Sequence, residues 1–373
     1  MFGSVSGAIS AVLAIIIFVT IHELGHFGAA RIVGMKTTQF FFGFGPKLWS
    51  TTRGETEYGV KLLPLGGHVT IAGMNPYEEI EPEDRGRTYA DKKYWQKSFV
   101  VIAGVASNFL LAFLMLAGVN LIAGVPQAAS EVPPVVSELV GDPAPAAIGG
   151  METGDLVISI DGVPIGSVQE LGDVVRARPG ENVEVTWERD GEPMSGQVPL
   201  ETIENPETGE TFGRIGIASE TLRDDVGIFS ALGLAGGQIV TLTGETFQAI
   251  WQLVSPESLL ELAGVFVGDT DVPIESRPIS PIGLANVGSQ LEALGIANFL
   301  RLLAMVNVFL GSFNIVPLYP LDGGHFAVAT YEKITGRQAD LNKMVPIAVA
   351  VVALFVFIGL VAVILDIVDP LQL

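Results

Sequence analysis

Hydrophobic and polar residues follow one another along this chain in blocks, and the longest apolar blocks are membrane-sized. A helix crosses a bilayer in about 20 residues. Four stretches reach that length, running roughly from Val5 to Ala30, Phe99 to Ala123, Ala297 to Val316 and Val345 to Ile364. The first reads as a retained span and not a signal peptide, because its opening MFGSVSG carries no Lys or Arg and no small-residue cleavage site follows. Between the first two spans, Tyr58 to Ala72 is rich in Val, Leu, Ile and Thr and predicts strand with a turn at Gly66-Gly67. Upstream, the aromatic run Phe40 to Phe42 with Gly43 and Gly45 predicts a loop dipping into the membrane interface.

After the second span the period shortens. The segment from Pro145 to Gly162 predicts a small-residue helix start, a Gly154-Asp155 turn, an alternating strand and an Asp161-Gly162 hairpin turn, with a further strand over Val183 to Trp187. The turn-rich stretch Glu204 to Glu210 predicts an exposed loop. A fifth apolar run, Val226 to Val254, has Glu245 as its only charge. Were it to cross, the third span would be reversed and its C-terminal end placed opposite that of the first. It is therefore expected to lie on the membrane or form a shallow hairpin.

Composition places the whole in the membrane class: 49% of residues are hydrophobic and 16% charged, against about a quarter charged in an ordinary soluble domain, and the mean hydropathy is +0.48. Twenty Lys+Arg against 41 Asp+Glu give a net charge of −21, which excludes a nucleic-acid partner. All of that charge sits in residues 125–298, with 6 basic and 27 acidic residues, while the rest of the chain is neutral. Acidity of this kind keeps a domain soluble and off an anionic lipid surface. Lys and Arg collect in cytoplasmic loops, and residues 28–97 hold ten of them and 317–344 three, so both termini are expected outside.

The chain then divides into a first transmembrane helix (1–35), a cytoplasmic-side membrane-associated β region and loop (36–96), a second transmembrane helix (97–124), an extracytoplasmic domain (125–220), an amphipathic or membrane-surface helical segment (221–296), a third transmembrane helix with a candidate ligand segment (297–325), a cytoplasmic loop (326–344) and a fourth transmembrane helix with the C-terminus (345–373).

With no cysteine, any metal must be held by His, Asp or Glu. Inside the first span stands His22-Glu23-Leu24-Gly25-His26, an H-E-x-x-H sequence. On a helix, positions i and i+4 share a face, so both imidazoles can reach one zinc ion with Glu23 beside it as base. Ionisable groups are expensive in a span and mark function there, although a polar helix interface without metal is the bland alternative. A catalytic zinc site takes a third protein ligand. Asp322, following the third span on the same side as the histidines, meets that need; its bland reading is a turn capping the next helix. Pro317 and Pro320 cannot continue a helix, and the permissive Gly323-Gly324 is expected to let the backbone open and turn the carboxylate inward.

H-E-x-x-H in the first span, joined to Asn314-Ile-Val-Pro-Leu-Tyr-Pro-Leu-Asp322-Gly-Gly in a later one, resembles the site-2 protease family of intramembrane zinc metalloproteases, the regulated-intramembrane-proteolysis group. Gly43 to Leu48, followed by Val60 to Val69, resembles that family's membrane-associated β region, and Arg277 to Gly283 its segment before the third span. The chain departs from the family in P-L-Y-P-L-D, where many members have P-x-P-x-L-D, and in Val105, where a proline is frequent. In the first of these it is similar to actinobacterial members with one PDZ domain, and residues Val132 to Ala218 resemble such a domain. The resemblance implies one catalytic zinc on His22, His26 and Asp322, with Glu23 as general base.

The fold expected is a multi-pass α-helical membrane protein of about four transmembrane helices, with a membrane-associated β region and one extracytoplasmic PDZ-like α+β domain. Its expected function is cleavage of transmembrane segments in single-span substrates, such as anti-sigma factors or signal-peptide remnants, after a first extracytoplasmic cut. Asn314 is a candidate to bind substrate backbone or the developing oxyanion, unless it only caps a helix. The strand around Gly66 and Gly67 is a candidate edge for pairing with an unwound substrate. His68 and His325 read as loop residues with local partners. Expected partners are transmembrane protein substrates, the lipid bilayer of the cell membrane and a peptide ligand of the PDZ-like domain. Two other readings stay open: a membrane-anchored zinc metalloprotease acting on exposed chains, disfavoured by H-E-x-x-H lying in a span, and a non-catalytic PDZ membrane scaffold, disfavoured by an intact Glu23.

Overall fold

A computed structural model describes residues 5–74, 80–204, 210–219, 222–274, 276–340 and 343–371. The chain separates into two units, one made of Met1–Asn120 with Gly227–Leu373 and the other of Leu121–Val226. The first unit begins with helix α1, Val5–Ile32. It stops where Gly34 takes φ +69°: Met35 N–H reaches back to Ala30 O at 2.8 Å and Gly34 N–H to Arg31 O at 3.1 Å, a glycine C-cap that satisfies the last carbonyls.

Two long strands follow, β1 (Thr37–Arg53) and β2 (Thr56–Ile71), joined by a hairpin with Gly54 at positive φ. Each strand bends, so that Thr37–Phe42 is flanked on one side by Gly67–Ile71 and on the other by Glu57–Val60, which in turn pairs with Trp49–Thr52. Phe40 to Phe42 are thus strand residues and not the expected interfacial loop. The bends fall at Gly43 (φ +86°), Gly45 (φ +85°) and Gly66 (φ +117°), where residues with a Cβ are disfavoured. The Gly66-Gly67 turn anticipated from sequence is the corner that lets β2 fold back along β1. Helix α2, Tyr94–Ala123, follows.

The second unit is built from short strands: β3 (Val125–Pro126), β4 (Val136–Leu139), helix α3 (Pro145–Ile148), β5 (Leu156–Ile160), β6 (Val163–Pro164), helix α4 (Val168–Arg176), β7 (Asn182–Arg189), β8 (Glu192–Pro199), β9 (Glu201–Glu204), β10 (Thr211–Arg214), β11 (Ile217–Ser219) and β12 (Arg223–Asp224). Its main sheet has the order β6-β5-β7-β8, and β12 pairs with β3 where the chain enters and leaves the unit. Strand β7 shows the alternation that the sequence advertises: Val183, Val185 and Trp187 point into the core beside Val157, Ile160 and Val198, while Glu184 and Glu188 face out. The predicted hairpin turn is present, with Asp161 at φ +47° and Gly162 at φ +77°. Of the loop expected over Glu204 to Glu210, residues 205–209 lie outside the described residues.

Back in the first unit, the apolar run after Val226 forms α5, Ile228–Leu253, followed after a 64° bend by α6, Pro256–Gly264. Ala235 of α5 packs with Leu116 and Ala117 of α2 and with Ala304, and Asn120 Nδ2 donates to Gln238 Oε1 at 2.9 Å. Helices α7 (Pro281–Ala293), α8 (Ile296–Ile315), α9 (Asp322–Thr335) and α10 (Val345–Val368) complete the chain. Among the described residues four helices are long and apolar enough to cross a membrane: Val12–Ile32, α2, α8 and α10. Asp366 of α10 accepts the N–H groups of Ser280 and Gly283 at 2.7 and 3.2 Å, so the last span supplies an N-terminal cap for α7.

Candidate metal centre

One turn of α1 brings the two histidines of H-E-x-x-H together: their Nε2 atoms are 3.1 Å apart and their rings meet edge to face with centroids 4.7 Å apart. Asp322, 296 positions beyond His26, is the first residue of α9, and its Oδ2 lies 3.0 Å from His22 Nε2 and 3.1 Å from His26 Nε2. The three ligand atoms all lie within 4.8 Å of one another. Beside them Glu23 accepts the Val69 N–H at 2.9 Å. A cavity of about 240 Å³ is lined by His22, Glu23, Asn108, Asn314 and Asp322.

The surrounding helices explain how these groups are held. His26 Nδ1 donates to Val100 O of α2 at 2.9 Å, which leaves Nε2 as the free acceptor facing Asp322. Helices α1 and α2 approach through glycine. A Cβ on Gly25 would lie 2.5 Å from Ala103 O, and one on Gly104 would overlap the His26 ring. Ser107 Oγ donates to Ile21 O at 3.1 Å, one residue before His22. On the third side, α8 ends at Ile315, two residues before Pro317, and α9 starts at Asp322. Gly323 and Gly324 are helical and lack positive φ; their role is close packing, since a Cβ at either would run into the backbone of residues 315–319. The backbone opens before them, between Ile315 and Asp322, and not at the two glycines as their permissive character suggests.

The donor set fits a zinc ion: two imidazoles and a carboxylate would supply three protein ligands, the number a catalytic zinc site takes, and among the described residues these three donors converge within 4.8 Å of one another. Among the described residues His22 Nδ1 is buried without a partner.

The other sequence candidates fall in different places. Asn314 lines the cavity, but its Nδ2 donates to Leu310 O on its own helix at 3.1 Å. Gly67 touches the site: a Cβ there would stand 3.5 Å from Glu23 Cγ, and Val69, two residues on, holds the Glu23 carboxylate. Gly66 shapes the corner of β2. His68 is a strand residue stacked between Phe41 and Phe44, with Lys61 Nζ 3.3 Å from its Nε2; burial and that neighbouring ammonium push its pKa down. His325 sits in α9 against Tyr319, and burial pushes its imidazole down to about 4, leaving it neutral at pH 7. Both were expected on loops; each lies instead in a regular element, His68 in β2 and His325 in α9. Sequence reading missed Asn108 and Gly104. Their signal was available, since an asparagine within a span is costly unless it is used.

The model of Peptidase family M50 matches residues 10–359. Zinc metalloprotease Rip1 of Mycobacterium tuberculosis is 34% identical over 404 residues, covering 99% of this chain and 99% of its own. Zinc metalloprotease RasP of Shouchella clausii is 25% identical over 414 residues, covering 90% of this chain and 92% of its own. A solved PDZ domain of the SdrC-like protein from Listeria monocytogenes covers 24% of this chain and 90% of its own length at 26% identity, with a TM-score of 0.20. The chain belongs to Peptidase family M50, the site-2 protease family of zinc metalloproteases. It is a multi-pass membrane protein with a second unit, Leu121–Val226, built of short strands.

Proposed function

We propose that the chain is an intramembrane endopeptidase that holds one zinc ion on His22, His26 and Asp322 and uses Glu23 as its base. The observation that carries this reading is the convergence of those three ligand atoms within 4.8 Å beside Glu23, with His22, Glu23 and His26 on a helix apolar enough to span a membrane. Such groups are costly at that depth unless they work there.

Bound zinc supplies Lewis acidity, which polarises a scissile carbonyl and acidifies a water. The remaining work belongs to the chain. Glu23 takes a proton from the attacking water as its oxygen bonds to the carbonyl carbon, and passes a proton to the amine nitrogen as the C–N bond breaks. One water is consumed and one carboxylate and one amine end are released. His26, donating its Nδ1 hydrogen to Val100 O, keeps a fixed tautomer and orientation throughout.

A transmembrane helix hides its peptide bonds, so the substrate must be extended before it is cut. The edge formed by Gly67 to Val69 supports a way to do this. Val69 pairs with Phe40 on one side, and its N–H points to Glu23 on the other, so an extended segment adding to this edge passes the base. The substrates are single-span proteins already shortened outside, with anti-sigma factors and signal-peptide remnants as the classes. The distribution of Lys and Arg supports a site towards the cytoplasm and a PDZ-like domain outside. There the domain is free to take a peptide ligand.

The test is cleavage of a truncated single-span substrate by the full chain in proteoliposomes, with zinc measured on the same samples. Glu23→Gln is expected to keep zinc and lose cleavage, and His22→Ala to lose both. Full cleavage by Glu23→Gln would sink the assignment.

A further inference from the structure

We infer that Asn108 of the second span, and not Asn314, is the side chain that hydrogen-bonds the scissile carbonyl oxygen as negative charge builds on it. The inference rests on the protease reading above. Both asparagines line the cavity that holds His22, Glu23 and Asp322. They differ in what they have left to give. The Asn314 carboxamide donates to Leu310 O within its own helix at 3.1 Å. Asn108 is 1% exposed, and among the described residues its carboxamide makes no hydrogen bond, its Oδ1 being buried without a partner.

Buried polar side chains are almost always paired, so an idle carboxamide at the wall of a reaction cavity is a group waiting for a ligand. A carboxamide offers two N–H donors and an acceptor. Peptide hydrolysis needs a donor fixed in advance where the oxyanion forms, because a fixed dipole pays no reorganisation cost as the charge appears.

Asn108 is fixed in this way from three directions. Asn307 Nδ2 of α8 donates to the Asn108 backbone oxygen at 2.8 Å. At Gly311 of α8, a Cβ would come within 3.4 Å of Asn108 Cβ, so the two helices touch at this turn. The preceding residue, Ser107, is tied to Ile21 O at 3.1 Å, which sets the position of Asn108 against the His22-Glu23 turn. Asn307 is therefore a positioning residue and Asn108 the group that touches substrate.

The experiment compares Asn108→Ala, Asn108→Leu, which keeps the volume, and Asn314→Ala with wild type and Glu23→Gln in proteoliposomes, reading kcat, KM, zinc per chain and melting temperature. Both Asn108 variants are expected to lose about 100-fold or more in kcat, the usual effect of removing an oxyanion donor, with KM within about threefold and zinc retained. Asn314→Ala is expected to lose less than about tenfold. Either Asn108 variant keeping kcat within about threefold of wild type overturns the inference. So does a loss that comes with loss of zinc or of the folded state in both variants, since the residue would then be structural. Inactive wild-type protein in this assay, or active Glu23→Gln, would instead overturn the protease reading.

Discussion

Replacing Gly104 by alanine adds one methyl group at the closest approach of α1 and α2. A Cβ built there overlaps Nε2 and Cε1 of the His26 imidazole and lies 2.7 Å from its Cδ2, whereas an ordinary contact begins near 3.4 Å. The ring has little room to yield, because Nδ1 is bonded to Val100 O at 2.9 Å and Nε2 faces Asp322 at 3.1 Å. It must move by roughly 1 Å, while metal ligands tolerate about 0.2 Å. Displacing one ligand to this degree is worth at least the 10- to 100-fold loss in metal affinity caused by disturbing a ligand's supporting contacts, or about 1.4–2.7 kcal/mol. The assay is zinc competition with a chelator of known affinity on detergent-solubilised protein. Gly118→Ala is the control, since nothing lies within 4 Å of a Cβ on that residue of the same helix. It should bind zinc as wild type does. Gly104→Ala binding zinc within about threefold of Gly118→Ala would refute the packing argument and, with it, the place of His26 in the metal set.

Other outcomes follow from particular contacts. Val69→Pro removes the N–H that Glu23 accepts at 2.9 Å while sparing the pairing with β1, because proline is tolerated on an outward edge; zinc should stay and kcat/KM fall by about tenfold or more, and an unchanged kcat/KM would remove Val69 from the site. In the unit Leu121–Val226, Arg189 donates twice to the fully buried Asp155 at 2.8 Å, so Asp155→Ala should destabilise that unit by about 2–3 kcal/mol, read as faster amide exchange in β5 and β7 of the full chain. The Arg189 hydrogen bonds hold the Asp155 carboxyl below its ordinary value, so its contribution is complete above about pH 4 and is lost as pH falls further; exchange in β5 and β7 that is flat from pH 5 to 3, after correction for intrinsic rates, would contradict this. Asp366→Ala leaves the N–H groups of Ser280 and Gly283 without their carboxylate, at a cost of about 1–3 kcal/mol, and should speed proteolysis at Arg277; unchanged cleavage there would show that the cap does not hold α7.

Features carried by neighbouring residues were legible in the sequence. The four long apolar blocks became helices, His22 and His26 shared a face because the helix period puts i and i+4 there, and Val183, Val185 and Trp187 alternated inward as strand residues must. The excess of acid in residues 125–298 likewise needed only counting. Local pattern failed where the backbone conformation depended on a distant partner. Phe40 to Phe42 looked like an interfacial loop because the segment that pairs with them begins 15 residues after Phe42, at Glu57, and its other half returns only after the corner at Gly66. Gly323 and Gly324 looked like hinges because a glycine that frees the backbone and one that admits a neighbour are spelled alike.

The sequence by itself determined which segments are apolar enough for the membrane, which turn of helix carries two imidazoles and a carboxylate, and that no cysteine takes part. Those properties are set by composition and by helical or strand period, both of which are written within a few residues. Tertiary structure alone brought Asp322 to 3.0 Å from His22, set Gly104 under the His26 ring, aimed the edge of β2 at Glu23 and left the Asn108 carboxamide unpaired in the cavity among the described residues. Each of these is a distance between residues far apart in the chain, fixed by how close two helices or a helix and a strand can pack, and no local period records it.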